Sequence, residues 1–372
     1  MSKKAVIFGH TMSDTRLLSR VSDLKDIGYD CVLLSYSRRD WPEVYDHGFR
    51  VKSLGFVGQG SLFRRIAVMM VSVLRVFCFS FNHGRADYVH ARNLDLLILA
   101  RLFCVFSRSN EMVYEVADLH PSMTGEDLRS RFLRCVERVL LSKCACVLIT
   151  SPGFKRGYFD KYHPQFSSKC RLVENRLPVQ IFERPISIVS SDSSVLNIGY
   201  WGAIRCAVSL RLLLDVAKRN ECRICIHIWG HLSTAEVRQF EKEIKSLRNV
   251  YYYGKYSYPL GLEGFRGIID ISWCCDFYDE TNSILLLPNR LYESLYLGLP
   301  VIVFEGSETC SHATELTSPI ALKSATVEGL ESIILGLKAT DITEMKQRSL
   351  CVPDKYLIGN RQFRLLVQEA IA

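Results

Sequence analysis

Short runs of β-branched and apolar residues alternate with helix-length segments along this chain, and the alternation stops once and then restarts. In the first half, Ala5–Phe8, Asp30–Tyr36, Tyr88–Ala91, Met112–Val116, Cys146–Thr150 and Arg171–Glu174 read as strands. Between the first two, Leu17, Leu18, Val21 and Leu24 recur at helical spacing, and Gly28 supplies the left-handed residue on which such a helix ends. The pattern breaks across Pro178–Ser194, where Pro185 and the run Ser190-Ser-Asp-Ser-Ser194 favour neither element. It resumes with strands at Val195–Tyr200, Ile224–Trp229, Val250–Tyr253, Ile268–Trp273, Pro300–Phe304 and Pro319–Leu322. Strands spaced by helices of this length form parallel, doubly wound sheets. The expectation is an α/β chain with two such sheets in succession, facing a cleft, with ligands at the carboxyl ends of their strands.

A chain of 372 residues is too long for one economical core, which also argues for two domains. Its formal net charge of +8 is uneven. Residues 1–185 hold 28 Lys and Arg against 18 Asp and Glu, whereas residues 186–372 hold 19 against 21. The first half therefore suits anionic surfaces such as lipid headgroups or a pyrophosphate-linked acceptor. Nucleic acid is not expected as a partner, because the basic residues follow no recognition-helix pattern and no zinc spacing is present. Most of the 14 cysteines lie in apolar runs as small hydrophobes, which fits a reducing, cytoplasmic setting. Ala5–Gly9 is too short for a signal peptide and reads as the first strand. The most apolar stretch, Leu62–Phe81, is cut by Arg75 into runs too short to span a bilayer. Beyond Thr124, a candidate helix cap, Leu128, Phe132, Cys135, Val136 and Val139 form an apolar stripe, with Arg131, Arg134 and Arg138 on another face. Two readings stand: peripheral docking to an anionic membrane, or ordinary domain helices with solvated basic faces.

The segment richest in chemistry runs from Pro288 to Val303. Pro288 starts a helix at Asn289, and Gly298-Leu-Pro300 ends it and turns into a buried strand. Arg290 and Glu293 share the face of its first turn. A helix amino end offers free amides and a positive dipole end to phosphate. Glu293 is placed to accept ribose hydroxyls while Arg290 supplies charge to a diphosphate; the bland alternative is a surface ion pair. This run resembles the donor-site signature of family 4-like glycosyltransferases, in the branch reading roughly Pro-Asn-Lys-Leu-Phe-Glu-Tyr-Leu-Ala-x-Gly-x-Pro-Val-Ile. The resemblance implies a GT-B fold of two Rossmann-like domains. It also implies ribose binding by Glu293, and a place for Asn289 and Arg290 near the diphosphate and for Asn282 just ahead of the motif. An earlier glutamate of the better-known form falls on Leu285, leaving Asp276, Asp279 or Glu280 as substitutes.

Further matches follow the family's order. Val195-Leu-Asn-Ile-Gly199-Tyr-Trp-Gly202-Ala-Ile-Arg205 resembles the opening of the donor domain, with a helix expected near Ser209; Ala203 and Val208 stand where two cations are usual, so Arg205 and Arg290 take their place. Gly9 and the Asp14-Thr-Arg16 segment resemble the entrance to the first helix, with Gly9 exposing backbone to the donor and Asp14 also readable as a helix cap. Val89-His90-Ala91-Arg92-Asn93 ends a strand with polar groups on the acceptor side. Tyr114-Glu-Val-Ala117-Asp118-Leu-His120-Pro121 resembles Glu-Val-Arg-Asp-Leu-Trp-Pro, making Asp118 the retained carboxylate and His120 a candidate proton carrier. The expected catalytic set is Asp118, His120 and Glu293. The donor set is Gly9, Gly202, Arg205, Asn282, Asn289, Arg290 and Glu293, and the acceptor set His90, Arg92 and Asp118.

The implied domains are an acceptor-side domain at 1–180, a linker at 181–192, a donor domain at 193–350, and a segment 351–372 whose helix Arg361–Ile371 packs back on the first domain. The implied reaction is glycosyl transfer from a nucleoside-diphosphate sugar to a saccharide or lipid-linked acceptor, retaining, in surface polysaccharide or lipopolysaccharide assembly at the inner membrane face. No cofactor is expected, and no Asp or His cluster has metal-ligand spacing. The alternatives are a sugar-nucleotide epimerase of similar shape and a degenerate relative that binds nucleotide or glycan without turnover.

Overall fold

The computed structural model describes residues 2–11, 14–37, 48–56, 62–178, 180–184, 195–359 and 362–370. The chain divides into two compact units, Met1–Glu174 with Asn360–Ala372, and Asn175–Gly359. In the first unit, β1 (Lys3–Gly9), β2 (Tyr29–Ser37), β3 (Arg50–Phe56), β4 (Tyr88–Arg92), β5 (Met112–Val116), β6 (Cys146–Ile149) and β7 (Cys170–Leu172) form one parallel sheet in the order β3-β2-β1-β4-β5-β6-β7. The strand order reverses between β1 and β4, the point at which loops part to form a crevice. Edge strand β3 is absent from the sequence reading because Arg50, Lys52 and Ser53 break its apolar run.

Helix α1 (Thr15–Asp26) is capped by Asp14, whose carboxylate accepts from the Arg16 and Leu17 amides at 3.1 and 3.2 Å. A Cβ on Gly9 would lie 1.9 Å from a Leu17 methyl, so glycine is what lets α1 settle on the end of β1. Helices α2 (Leu62–His83), α3 (Leu94–Ser107) and α4 (Leu128–Leu141) lie side by side, α2 on α3 and α3 on α4. Right-handed crossovers toward β4, β5 and β6 place all three on one face of the sheet. The cap of α4 is Asp127, which accepts from the Ser130 amide at 3.0 Å; Thr124 instead ends a separate short helix, Pro121–Thr124. The final helix, Gln362–Ala370, belongs to this unit. Its Phe363 is buried in the core beneath Arg20, and Arg364 pairs with Asp23 and Asp26 of α1.

The second unit repeats the winding. Strands β8 (Leu196–Ile204), β9 (Ile224–Leu232), β10 (Val250–Gly254), β11 (Ile271–Trp273), β12 (Val301–Phe304) and β13 (Ile320–Leu322) are parallel in the order β10-β9-β8-β11-β12-β13, reversing between β8 and β11. Helix α5 (Ala207–Arg219) follows β8, two residues earlier than Ser209. The boundaries shift from those expected. Residues 175–180 and 351–359 belong to the second unit, where Leu177 and Ile358 bridge. The start of the expected linker is packed there too: the Ile181 and Phe182 amides donate to Tyr296 Oη at 3.0 and 3.2 Å. Residues 185–192 of that linker lie outside the described residues.

At the reversal point of the first unit, Glu115 on β5 is buried with Arg20 Nε at 3.2 Å, His90 Nε2 at 3.0 Å and Arg92 Nε at 3.9 Å. Burial alone would raise its pKa, but Arg20, His90 and Arg92 outweigh it and hold the carboxyl well below the usual range. The unfolded group titrates near about 4.3 and the folded one lower. The stability this cluster contributes is therefore complete above about pH 4.3 and is lost as pH falls through the folded value. Glu115→Gln is expected to cost about 3–5 kcal/mol at pH 7, because it leaves Arg20 buried beside a neutral group. Urea titrations from neutral to acid pH check this: the variant should lose less further stability on acidification than the wild type, and equal losses would exclude the cluster as the source.

Candidate functional site

Helix α6 (Asn289–Leu297) follows Pro288, whose φ of −73° starts the first turn, and no side chain caps its amino end. The Leu291 amide donates to the Pro288 carbonyl at 3.1 Å, and an amino end without a side-chain cap is suited to an external acceptor. The helix is buried from Leu291 to Leu297, so its direction is set by packing. Its carboxyl end is gripped by Arg184, which donates to the carbonyls of Leu295 at 3.1 Å and Tyr296 at 3.2 Å. The same guanidinium reaches the Ser349 and Val352 carbonyls and Asp354. Sequence reasoning missed Arg184 because it stands in what reads as linker, 111 residues from Leu295.

The opposite side of α6 meets β8. Trp201 Nε1 donates to Glu293 Oε2 at 2.8 Å, both side chains being buried. Arg290 Nη1 donates to the Trp201 carbonyl at 2.5 Å, and its guanidinium lies 4.6 Å from the Tyr200 ring centre. Next in the strand, Gly202 has φ +106°, a backbone that other residues rarely adopt, and a Cβ there would lie 3.9 Å from Arg290 Nη1. Tyr200, Trp201 and Gly202 thus form a seat for the first turn of α6. Trp201 carries no signal in the sequence motif, since its partner lies 92 residues away.

Across the reversal point, Arg205 beyond β8 reaches Asp276 beyond β11 at 3.4 Å, with the Tyr278 ring 5.4 Å from the guanidinium. Asp276 also accepts from the Tyr278 amide and Ser283 Oγ, both at 2.8 Å. Asp279 accepts from the Thr281 and Asn282 amides at 3.0 and 2.6 Å, fixing the short helix Asn282–Leu285. Asp276 and Asp279, considered as stand-ins for a glutamate at Leu285, are thereby engaged within their own loop. Asn282 is buried and Asn289 half-buried, at the starts of two successive helices. Gly202, Arg205, Asn282, Asn289, Arg290 and Glu293 therefore all belong to the second unit. Gly9 belongs to the first unit, where a Cβ would meet Leu17.

On the first unit, the expectation that His90 faces an acceptor is corrected. The ring is fully buried, with Nδ1 3.0 Å from Tyr88 Oη and Nε2 against Glu115, so it sustains the internal charge cluster. Arg92 ends β4 and pairs with Asp14. Burial works against its charge, yet Asp14, Glu115 and Asp118 together raise its pKa. Asn93 follows at φ +66°, with its Oδ1 3.3 Å from the Ala117 amide that donates to it. Asp118 and His120 are exposed beyond β5. His120 Nδ1 accepts from the Ser122 amide at 3.1 Å, capping Pro121–Thr124. A neutral ring so placed carries its proton on Nε2, where it can donate. Among the described residues no group of three or more His, Cys, Asp or Glu is arranged to hold a metal ion, and no helix is long and apolar enough to cross a membrane.

Two doubly wound units in one chain, each reversing at its first strand, make the GT-B fold of glycosyltransferases. The structure is similar to Anabaena HepE in complex with UDP and glucose, with a TM-score of 0.72, 11% identity and 99% of each chain covered. It is also similar to sucrose-phosphate synthase from Thermosynechococcus elongatus, with a TM-score of 0.74, 11% identity and coverage of 99% of this chain and 98% of that one. In sequence the chain is 27% identical over 366 residues to the succinoglycan biosynthesis protein ExoL of Rhizobium meliloti (strain 1021), spanning 96% of this chain and 91% of that protein. No family model matches the chain.

Because Arg184 joins two carbonyls at the end of α6 to the Ser349 and Val352 carbonyls and the Asp354 carboxylate, Arg184→Ala is expected to destabilise the protein by about 2–4 kcal/mol. Arg184→Lys should recover only a minor part, an ammonium being unable to span that array. Urea unfolding followed by tryptophan fluorescence measures both, and an unchanged midpoint for the alanine variant would remove Arg184 from this role.

Proposed function

We propose that this protein is a glycosyltransferase that moves a sugar from a nucleoside-diphosphate sugar to a saccharide or lipid-linked acceptor in the assembly of a surface polysaccharide. The observation that carries this reading is the seating of Glu293 and Arg290 on Trp201 at the uncapped start of α6. Trp201 occupies one oxygen of the Glu293 carboxylate and orients the group for ribose hydroxyls. The diphosphate takes the amides of the first turn, with Arg290 and Arg205 as counter-charges. As the glycosidic bond to phosphate breaks, charge grows on the leaving diphosphate, and fixed donors at that spot lower the barrier without reorganising. The transfer as proposed uses no metal or cofactor and retains anomeric configuration. Arg92, Asp118 and His120 form the acceptor side, with His120 Nε2–H as a donor to an acceptor or leaving oxygen.

The structural likeness to a protein in complex with UDP makes UDP the first nucleotide to try. Likeness to a succinoglycan biosynthesis protein supports a polysaccharide product. Such assembly suits a cytoplasmic protein working at the inner membrane face.

Thermal stabilisation by UDP, GDP and CMP tests the donor site, since a ligand of the folded state raises the melting temperature. One nucleotide should stabilise the wild type, and Glu293→Gln should bind it about 10- to 100-fold more weakly, the loss of charge-assisted hydrogen bonds worth about 1.5–3 kcal/mol. Failure of all three nucleotides, or equal binding by the variant, would overturn the assignment. Incubation with the matching sugar nucleotide alone should leave the sugar's configuration unchanged; an epimerised product would instead identify an epimerase.

A further inference from the structure

Helix α4 is built inside out. Its buried face holds Ser130, Arg134 and Glu137 beside Leu140 and Leu141. Arg134 donates to the carbonyls of Met123 and Gly125 at 2.8 and 2.6 Å and lies over the Tyr162 ring. Glu137 accepts from Tyr114 Oη at 2.9 Å and Tyr158 Oη, and sits 2.8 Å from His163 Nε2. With polar groups committed inward, the apolar stripe at helical spacing points to solvent: Leu128 is 83% exposed, Phe132 66% and Val139 61%, with Cys135 exposed between them. The same four-three-four spacing recurs on α2, where Met70, Leu74, Phe77 and Phe81 are all exposed. Phe77 packs edge-on against Phe106 of α3, 4.8 Å between centroids, which extends the apolar surface from helix to helix.

The helices that carry this surface are rich in arginine, and the exposed acids Glu126 and Asp127 lie at its edge, just ahead of Leu128. Helices α2, α3 and α4 contain eight arginines, of which Arg134 is turned inward, against two acids, Glu137 being buried and Asp95 facing His10. On α4, Arg129 lies about a quarter turn to one side of the exposed stripe and Arg131 and Arg138 about a quarter turn to the other, the residues advancing ~100° each. Between β3 and α2 runs a groove of about 510 Å³ lined in part by Lys52, Arg75, His83 and Arg50, the last paired with Asp30 at 2.6 Å. An apolar stripe bordered on both sides by arginines is the build of a helix that lies in a bilayer interface, its side chains among acyl chains and its guanidinium groups at the phosphates.

We propose that the outer face of α2, α3 and α4 docks the first unit into the interface of an anionic lipid bilayer. This gives the membrane contact of the proposed function a defined surface, and it rests on no step of the transfer. The test is sedimentation of the full chain with vesicles of phosphatidylcholine alone or with about one-third phosphatidylglycerol, without nucleotide. The wild type should bind the anionic vesicles at least tenfold more tightly than the neutral ones, and added salt should weaken that binding. Leu128→Ser with Phe132→Ser, both exposed and so compatible with folding, should reduce binding at least tenfold with an unchanged circular dichroism spectrum. Arg129→Gln with Arg131→Gln should weaken the preference for anionic lipid, and an unchanged preference would overturn the role given to these arginines. Absence of wild-type binding, or unaltered binding by the serine variant, overturns the proposal. Self-association that the serine variant abolishes, in a chain that ignores vesicles, overturns it in favour of a second copy as the occupant.

Discussion

The hydrogen bond from Trp201 to Glu293 fixes how the second unit presents its chemistry. A buried carboxylate is costly unless its lone pairs are met, so this contact holds the rotamer of Glu293 on a helix whose rotation is set by the packing of Leu291, Leu295 and Tyr296. With that rotation set, Arg290 falls onto the Trp201 carbonyl and the Tyr200 ring. Arg184 holds the far end of the same helix. One short helix is thus pinned at both ends by groups from distant parts of the chain, and its amino end carries no side-chain cap.

The first unit solves a comparable problem with charge. Glu115, Arg20, His90 and Arg92 occupy the reversal point of its sheet, where an apolar packing would serve equally well for stability. Their arrangement has a directional result: Arg92, tied between Glu115 and Asp14, is held at the carboxyl end of β4. Asn93 and Asp118 stand beside it on the loops that follow β4 and β5.

Legibility in the sequence followed the range of the interactions. The α6 motif was readable because Pro288, Glu293, Gly298 and Pro300 act within one helix and its turns. The two sheets were readable because their strands are continuous apolar runs, whereas β3 was not, since an edge strand tolerates Arg50 and Lys52. Trp201, Arg184 and the Glu115 cluster were invisible because each acts through a partner many residues away. His90 was misread for the same reason: a histidine near a strand end reads as polar until Glu115 is known to lie on the adjacent strand. On α4 the apolar stripe was legible but its direction was not, because only the partners Tyr114, Tyr158 and His163 show which side of the helix is inward.

The return of Gln362–Ala370 to the first unit has a consequence for biosynthesis. Phe363 lies in the core around β1 and α1, so the first unit lacks a piece of its interior until Gln362–Ala370 has left the ribosome. The second unit, continuous from Asn175 to Gly359, has no such wait. The second unit can thus complete its core before the first, and a stop codon just ahead of Gln362 would injure the first unit while sparing the one nearer to it in sequence.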